Sequence, residues 1–236
     1  MVKKINLFKT LFYIQLIVLL IVILFLDESY LVFQKILSLI TITVIYVLGN
    51  PRKNNYFYLF SMLVMMVNDT LILLDFSSYF PIITSLGTIY FSLSILVVKR
   101  FLEEKDILFS KLYSFPIIVG ILLMGYLIYS ITDLVLPYVE NSILFLGLFV
   151  ISLLIFIILC FMIYLADRFT GNLMLFIAAS CCLIVNALLP INYFVFQTKV
   201  FVLLIHILEL LGFYFFTLFL IESKEKKDMN TQDLFL

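Results

Sequence analysis

Two carboxyls stand deep inside apolar runs of this chain. Asp69 lies in the stretch YFYLFSMLVMMVNDTLILL over 56–74, and Glu209 lies in KVFVLLIHILELLGF over 199–213. A charged side chain at the centre of such a run costs a few kcal/mol or more unless it is paired, protonated or facing a wet cavity. Spanning a membrane requires neither residue, so both need an explanation. Other groups could supply it. Lys35 can neutralise one carboxylate. His206 stands three residues before Glu209, on the same helical face. Asn68, Asn186 and Tyr90 add hydrogen-bonding groups in other apolar runs. Such a set can hold and move a proton or bind a polar group.

Each residue also has a plainer reading. Asp69 alone could be a structural hydrogen-bonder, and Lys35 could snorkel to the nearer interface. His206 and Asn186 could tie helices together, and Asp75 at the end of its run could simply be solvated. Cys160, Cys181 and Cys182 lie in apolar runs without metal-ligand spacing to a histidine, and their odd number gives no disulfide framework. They read as packing residues, as do the 26 Phe and 14 Tyr. No metal and no cofactor are expected.

The elements that carry these residues follow from composition. Of 236 residues, 65% are hydrophobic and 13% charged, with mean hydropathy +1.23. A soluble domain carries about a quarter charged residues. The apolar blocks recur along the whole chain, which makes it an all-α integral membrane protein. The zero net charge and the lack of a basic cluster argue against nucleic acid as a partner. The amino end has a basic start and an apolar run but no small-residue cleavage site, so it reads as a retained first helix.

Eight spans of membrane-crossing length can be drawn, at 8–26, 30–48, 56–74, 80–98, 110–131, 142–165, 172–190 and 197–221. Gly49-Asn50-Pro51, Pro137, Gly171-Asn172 and Pro190 punctuate them. Residues 1–223 form one membrane domain, and 224–236 form a polar cytoplasmic tail. Eight spans put Lys3, Lys4, Lys9, Arg52, Lys53, Lys99, Arg100, Lys105, Lys111, Arg168, Lys224, Lys226 and Lys227 on one side. The other side receives Asp27, Glu28, Asp133 and Glu140, with only Lys35 and Lys199 as bases. Both termini are therefore expected in the cytoplasm, and the location is a bacterial-type plasma (inner) membrane.

Counted at about 1.5 Å per residue, Lys35, Asp69, Asn186, His206 and Glu209 all fall about 18–22 Å above the cytoplasmic helix ends. Intramembrane polar residues normally face the bundle interior and one another. The expectation is a small charged pocket in the outer half, opening outward.

At these positions the chain resembles the YhhN, or lysoplasmalogenase-like, membrane proteins. That family has eight helices with cytoplasmic termini, a Lys-Pro early in the second span, a Gly-Asp in the third and a Ser-Asp in the seventh. Here Lys35-Ile36, Asn68-Asp69 and Val185-Asn186 stand at those places, followed by Pro190, Asn192 and Phe194. Gly87 stands where the family has His before Tyr90, and Tyr214 with Thr217-Leu218 stands for its Tyr with Ala-Gln. The resemblance implies hydrolysis of the vinyl ether bond of a lysoplasmalogen, or of another lysolipid bond. That reaction needs an acid to protonate the alkene carbon and a base to guide water onto the oxocarbenium ion, which two carboxyls of different proton affinity can do. Asp69 would be the retained acid. Asn186 cannot titrate, so Glu209 would stand in for the second, with Lys35 holding a carboxylate ionised or meeting the lipid phosphate.

Two other classes stay open. A non-catalytic relative would keep the fold and bind a lipid or a partner. A small transporter could use the same buried Asp, Glu, His and Lys, although these lie in one layer and not along a path.

Overall fold

Chain segments this apolar must satisfy their backbone groups within themselves in lipid, and helices do so. A computed structural model of the protein describes residues 2–26, 29–49, 55–102, 115–139 and 142–224, with side chains from residue 7 onward; within 115–139 they are described at 122, 123 and 125–139. The described residues form eight helices: α1 (Val2–Phe25), α2 (Ser29–Gly49), α3 (Tyr56–Asp75), α4 (Phe80–Lys99), α5 (Phe115–Val135), α6 (Ile143–Ala166), α7 (Asn172–Phe194) and α8 (Lys199–Glu222). A 3₁₀ turn, Leu136–Tyr138, follows α5 around Pro137. Seven of the helices, α1–α4 and α6–α8, are long and apolar enough to cross a membrane. The chain is thus a multi-pass membrane protein by length and composition. Lys3, Lys4, Asp27, Glu28, Asn50–Lys53, Lys105, Lys111, Glu140 and the tail from 225 onward lie outside the described residues or side chains.

Local chemistry sets the helix ends. The Asn55 side chain accepts from Phe57 N at 3.0 Å and caps α3, and Thr198 Oγ1 accepts from Phe201 N at 3.3 Å at the start of α8. Asp75 is exposed and accepts from Ser78 N at 3.0 Å and Ser78 Oγ at 2.7 Å, which tightens the α3–α4 turn. Between α6 and α7 the chain turns through Asp167 (φ 52°) and Gly171 (φ 78°), a left-handed conformation that glycine adopts freely. Asn172 Nδ2 donates to Asp167 Oδ1 at 2.7 Å and locks that turn.

Three boundaries differ from the sequence reading by four residues or more, the first being the start of α1, at Val2 and not at 8. Helix α5 runs on to Val135 and not to 131, while residues 110–114 of the expected span lie outside the described residues. Helix α7 does not stop at Pro190 but continues through it to Phe194. Proline removes one backbone bond, here the one to the Asn186 carbonyl, without ending the helix when neighbouring helices hold it.

In packing, α1, α2, α3, α4, α6, α7 and α8 follow one another as neighbours, and α8 returns to touch both α1 and α2; α5 lies mainly against α7. Phe12 stacks on Tyr214 with ring centroids 4.0 Å apart. The first half of α1 therefore lies beside the second half of α8, so the start of α1 and the end of α8 share one end of the bundle, the base. There Thr170 N donates to the Lys224 carbonyl at 3.0 Å, and Phe101 meets Phe169 and Phe219. Slightly deeper, the fully buried Tyr58 hydroxyl and Thr217 Oγ1 are 2.5 Å apart. Thr217 gives its proton to the Phe213 carbonyl, so Tyr58 is the donor. At the opposite end Phe76 stacks on Tyr193 at 4.6 Å, and Phe194 packs against Phe76, Phe80 and Tyr138.

Candidate functional site

Helical rotation decides which of the polar residues meet. Lys35 on α2, Asp69 on α3 and Glu209 on α8 do. The Lys35 ammonium donates to Glu209 Oε2 and lies 3.5 Å from Asp69 Oδ2. Asp69 is 1% exposed and neither of its oxygens has a hydrogen-bond partner. His206 Nδ1 is 3.7 Å from Glu209 Oε2, too far for a hydrogen bond, and has no other partner. One ammonium and two carboxyls form a neutral set only with one further proton, on a carboxyl or on His206. A buried cluster can hold such a shared proton, because leaving an unpaired charge there costs several kcal/mol.

Lys35 does not snorkel. Its side chain is about nine-tenths buried and engaged by both carboxyls, so it has no free charge to offer a lipid phosphate. Attraction to two carboxyls outweighs the reach to an interface. Among the described residues no group of three or more His, Cys, Asp or Glu is arranged for a metal ion, and Lys35 occupies the place a cation would take between the acids.

Beside this cluster lies a cavity of about 130 Å³ between α3, α4, α5, α6, α7 and α8. One water needs roughly 10–15 Å³ on the same measure, so the space is many times the size of one water. Asn68, Tyr90, Asn186 and Glu209 stand on its walls, whereas Lys35, Asp69 and His206 do not. The seven residues singled out in the sequence thus divide. Four face the cavity, and three form the layer behind Glu209, the only residue belonging to both.

Asn186 is not interhelical glue. Its Nδ2 donates to Cys182 O at 2.8 Å and contacts Cys182 Sγ at 3.4 Å, one turn back on its own helix. Asn68 is 5% exposed; its Nδ2 meets only Met65 Sδ at 4.0 Å, and its Oδ1 has no partner. The Tyr90 ring packs edge-on against Phe91 and Phe213. Phe76 and Phe80 wall the cavity at the end opposite the base and are packed into the aromatic cluster with Phe194, contacts that bury large apolar ring area.

Some groups escaped the sequence reading. Gln15, Gln34, Ser38 and Thr41 form a continuous hydrogen-bond ladder between α1 and α2. The recurrence of Gln34 and Ser38 four residues apart was the available signal. Gly87 matters for space: a Cβ there would sit 2.5 Å from Phe149 Cε2. Phe149 fills the place that a histidine at this position would need.

No family model, curated protein or solved structure matches the chain.

Proposed function

We propose that the protein is a membrane-embedded, lipid-directed hydrolase of the lysoplasmalogenase type. The chain crosses a bacterial-type plasma membrane eight times, with its base and both termini in the cytoplasm. Lys99, Arg100, Arg168 and Lys224 lie at helix ends on the base side, as the positive-inside rule expects. The observation that carries the catalytic reading is the sharing of Lys35 by Asp69 and Glu209, with Glu209 on the wall of an apolar cavity.

In this reading Glu209 touches the substrate. The one further proton of the Lys35–Asp69–Glu209 set passes through Glu209 to the alkene carbon of the vinyl ether, and Glu209, again a carboxylate, takes a proton from the water that adds to the oxocarbenium ion. The hemiacetal so formed collapses to aldehyde and alcohol. Asp69, across the same ammonium, sets the proton affinity of Glu209 and is a positioning residue. Positioned acid–base catalysis contributes about 10²–10⁴-fold. Purified protein should release aldehyde from lysoplasmalogen, and Glu209→Gln should reduce release by about that factor. Wild-type protein that cleaves no lysolipid overturns the reading.

A specific observation favours a second reading, a lipid-binding protein without turnover. Asn186 stands on the cavity wall where the resemblance places a second acid, and Asp69 is set back from it. Lipid that copurifies intact with active-site residues unmodified would support this alternative.

A further inference from the structure

The cavity runs along the bundle and has its two amides and its carboxyl in the middle. On α3 its wall extends from Met65 to Phe76, about 16 Å of helix rise. Asn68 lies about 12 Å below Phe76 and about 4 Å above Met65. On α7, Asn186 lies about 12 Å from Ala178 and about 6 Å from Pro190. On α8, Glu209 lies about 10 Å from Phe216. Toward the end opposite the base the walls are mainly Ile72, Phe76, Phe80, Ile83 and Val135, with the hydroxyls of Thr84 and Thr132 among them. Toward the base they are Phe91, Phe156, Ala178, Phe213 and Phe216. Hydrocarbon walls therefore continue on both sides of Asn68, Asn186 and Glu209.

The charge on these walls is one carboxyl, and the neighbouring ammonium is already engaged behind it. An anionic headgroup placed here would meet Glu209 and apolar rings, and burying an unpaired charge costs several kcal/mol. The Asn68 amide is different. It is more than nine-tenths buried, its oxygen has no partner, and its nitrogen faces only a thioether. A buried amide in that condition can give one hydrogen bond and accept another, and leaving it unpaired is unfavourable by about 1–3 kcal/mol.

We infer that the cavity binds an uncharged long-chain lipid whose oxygen function, an ester or ether, lies along the chain at Asn68 and Glu209 with hydrocarbon on both sides. This goes beyond the hydrolase proposed above and does not rest on it: a glycerophospho headgroup finds no cation within these walls, so a lysoplasmalogen would have to enter with its headgroup outside them. Binding itself does not depend on turnover.

The test is photolabelling of the purified full chain in lipid nanodiscs with two diazirine probes of equal hydrocarbon length. One is a neutral dialkyl ester, and the other ends in a phosphate monoester. The neutral probe should label residues of the cavity wall at least tenfold more than the phosphate probe. Excess unlabelled dialkyl ester should protect wild-type protein, and Asn68→Leu should lower labelling several-fold. Ala187→Phe, which fills the wall without altering Asn68, should abolish it. Equal labelling by the phosphate probe overturns the inference, as does labelling confined to outward-facing residues such as Tyr126 and Tyr129 or failure of the unlabelled ester to protect. Product release is read separately. Protected labelling without any hydrolysis keeps this site and overturns the hydrolase, and lysoplasmalogen hydrolysis without neutral labelling does the reverse.

Discussion

Lys35 and Glu209 are joined by a buried ion pair although 174 residues separate them in sequence. The pair bridges α2 and α8 and draws in Asp69 from α3. It fixes the rotation of three helices at one level, and it holds the carboxyl that faces the cavity.

Breaking that pair on one side should be costly. Lys35→Met leaves two carboxyls without their cation, and removal of one partner of a buried pair destabilises by about 3–5 kcal/mol. The expected outcome is a lower thermal midpoint in detergent, read as loss of the monodisperse peak on heating. Adding Glu209→Gln to Lys35→Met should recover part of the loss. A double variant no better than the single one would show that the ion pair is not what holds these helices.

Tyr58 and Thr217 should respond unequally. Tyr58→Phe removes the donor while Thr217 still bonds the Phe213 carbonyl, so the loss should be near the ~0.6 kcal/mol typical of interhelical bonds in membranes. Thr217→Ala leaves the fully buried Tyr58 hydroxyl unpaired and should cost about 1–3 kcal/mol. Equilibrium unfolding in mixed micelles checks the order of the two.

Gly87 should tolerate little. A Cβ would overlap the Phe149 ring at 2.5 Å and 2.8 Å, and overpacking costs about 1–3 kcal/mol. Gly87→His should lower stability more than Gly87→Ala, and Phe149→Ala should rescue Gly87→His. Thermal midpoints of the three variants decide this.

Asn186→Asp would restore a second acid to the cavity wall but remove the donor to Cys182 O. A carboxylate facing that carbonyl should destabilise α7 by about 1–3 kcal/mol. Under the hydrolase reading, any aldehyde released by this variant should still vanish when Glu209→Gln is added, because Glu209 carries the proton. Persistent release in the double variant would move the catalytic role to position 186.

Much of the fold was legible in the sequence for a simple reason. Apolar runs of bilayer length must be helices, and Gly, Pro and Asn at their ends punctuate them. Pro190 was misread as a stop because sequence alone cannot weigh the neighbours that hold α7 together beyond it. Depth counting placed Lys35, Asp69, His206 and Glu209 at one level, and the first, second and fourth do meet. It also placed Asn186 there, but its amide turns back onto its own helix.

The sequence by itself determined the class of protein, the approximate helices and the depth of each polar residue, because rise per residue is constant. Rotation about each helix axis was decided only by tertiary structure. Helices apolar on nearly every face carry little pattern to fix that angle, so ridge packing and the Lys35–Glu209 contact fixed it instead. That choice separated the cavity-facing Glu209, Asn68 and Asn186 from the buried Lys35, Asp69 and His206. It also put Phe76 and Phe80 on the cavity wall at the end opposite the base, rings that the sequence offered only as membrane packing.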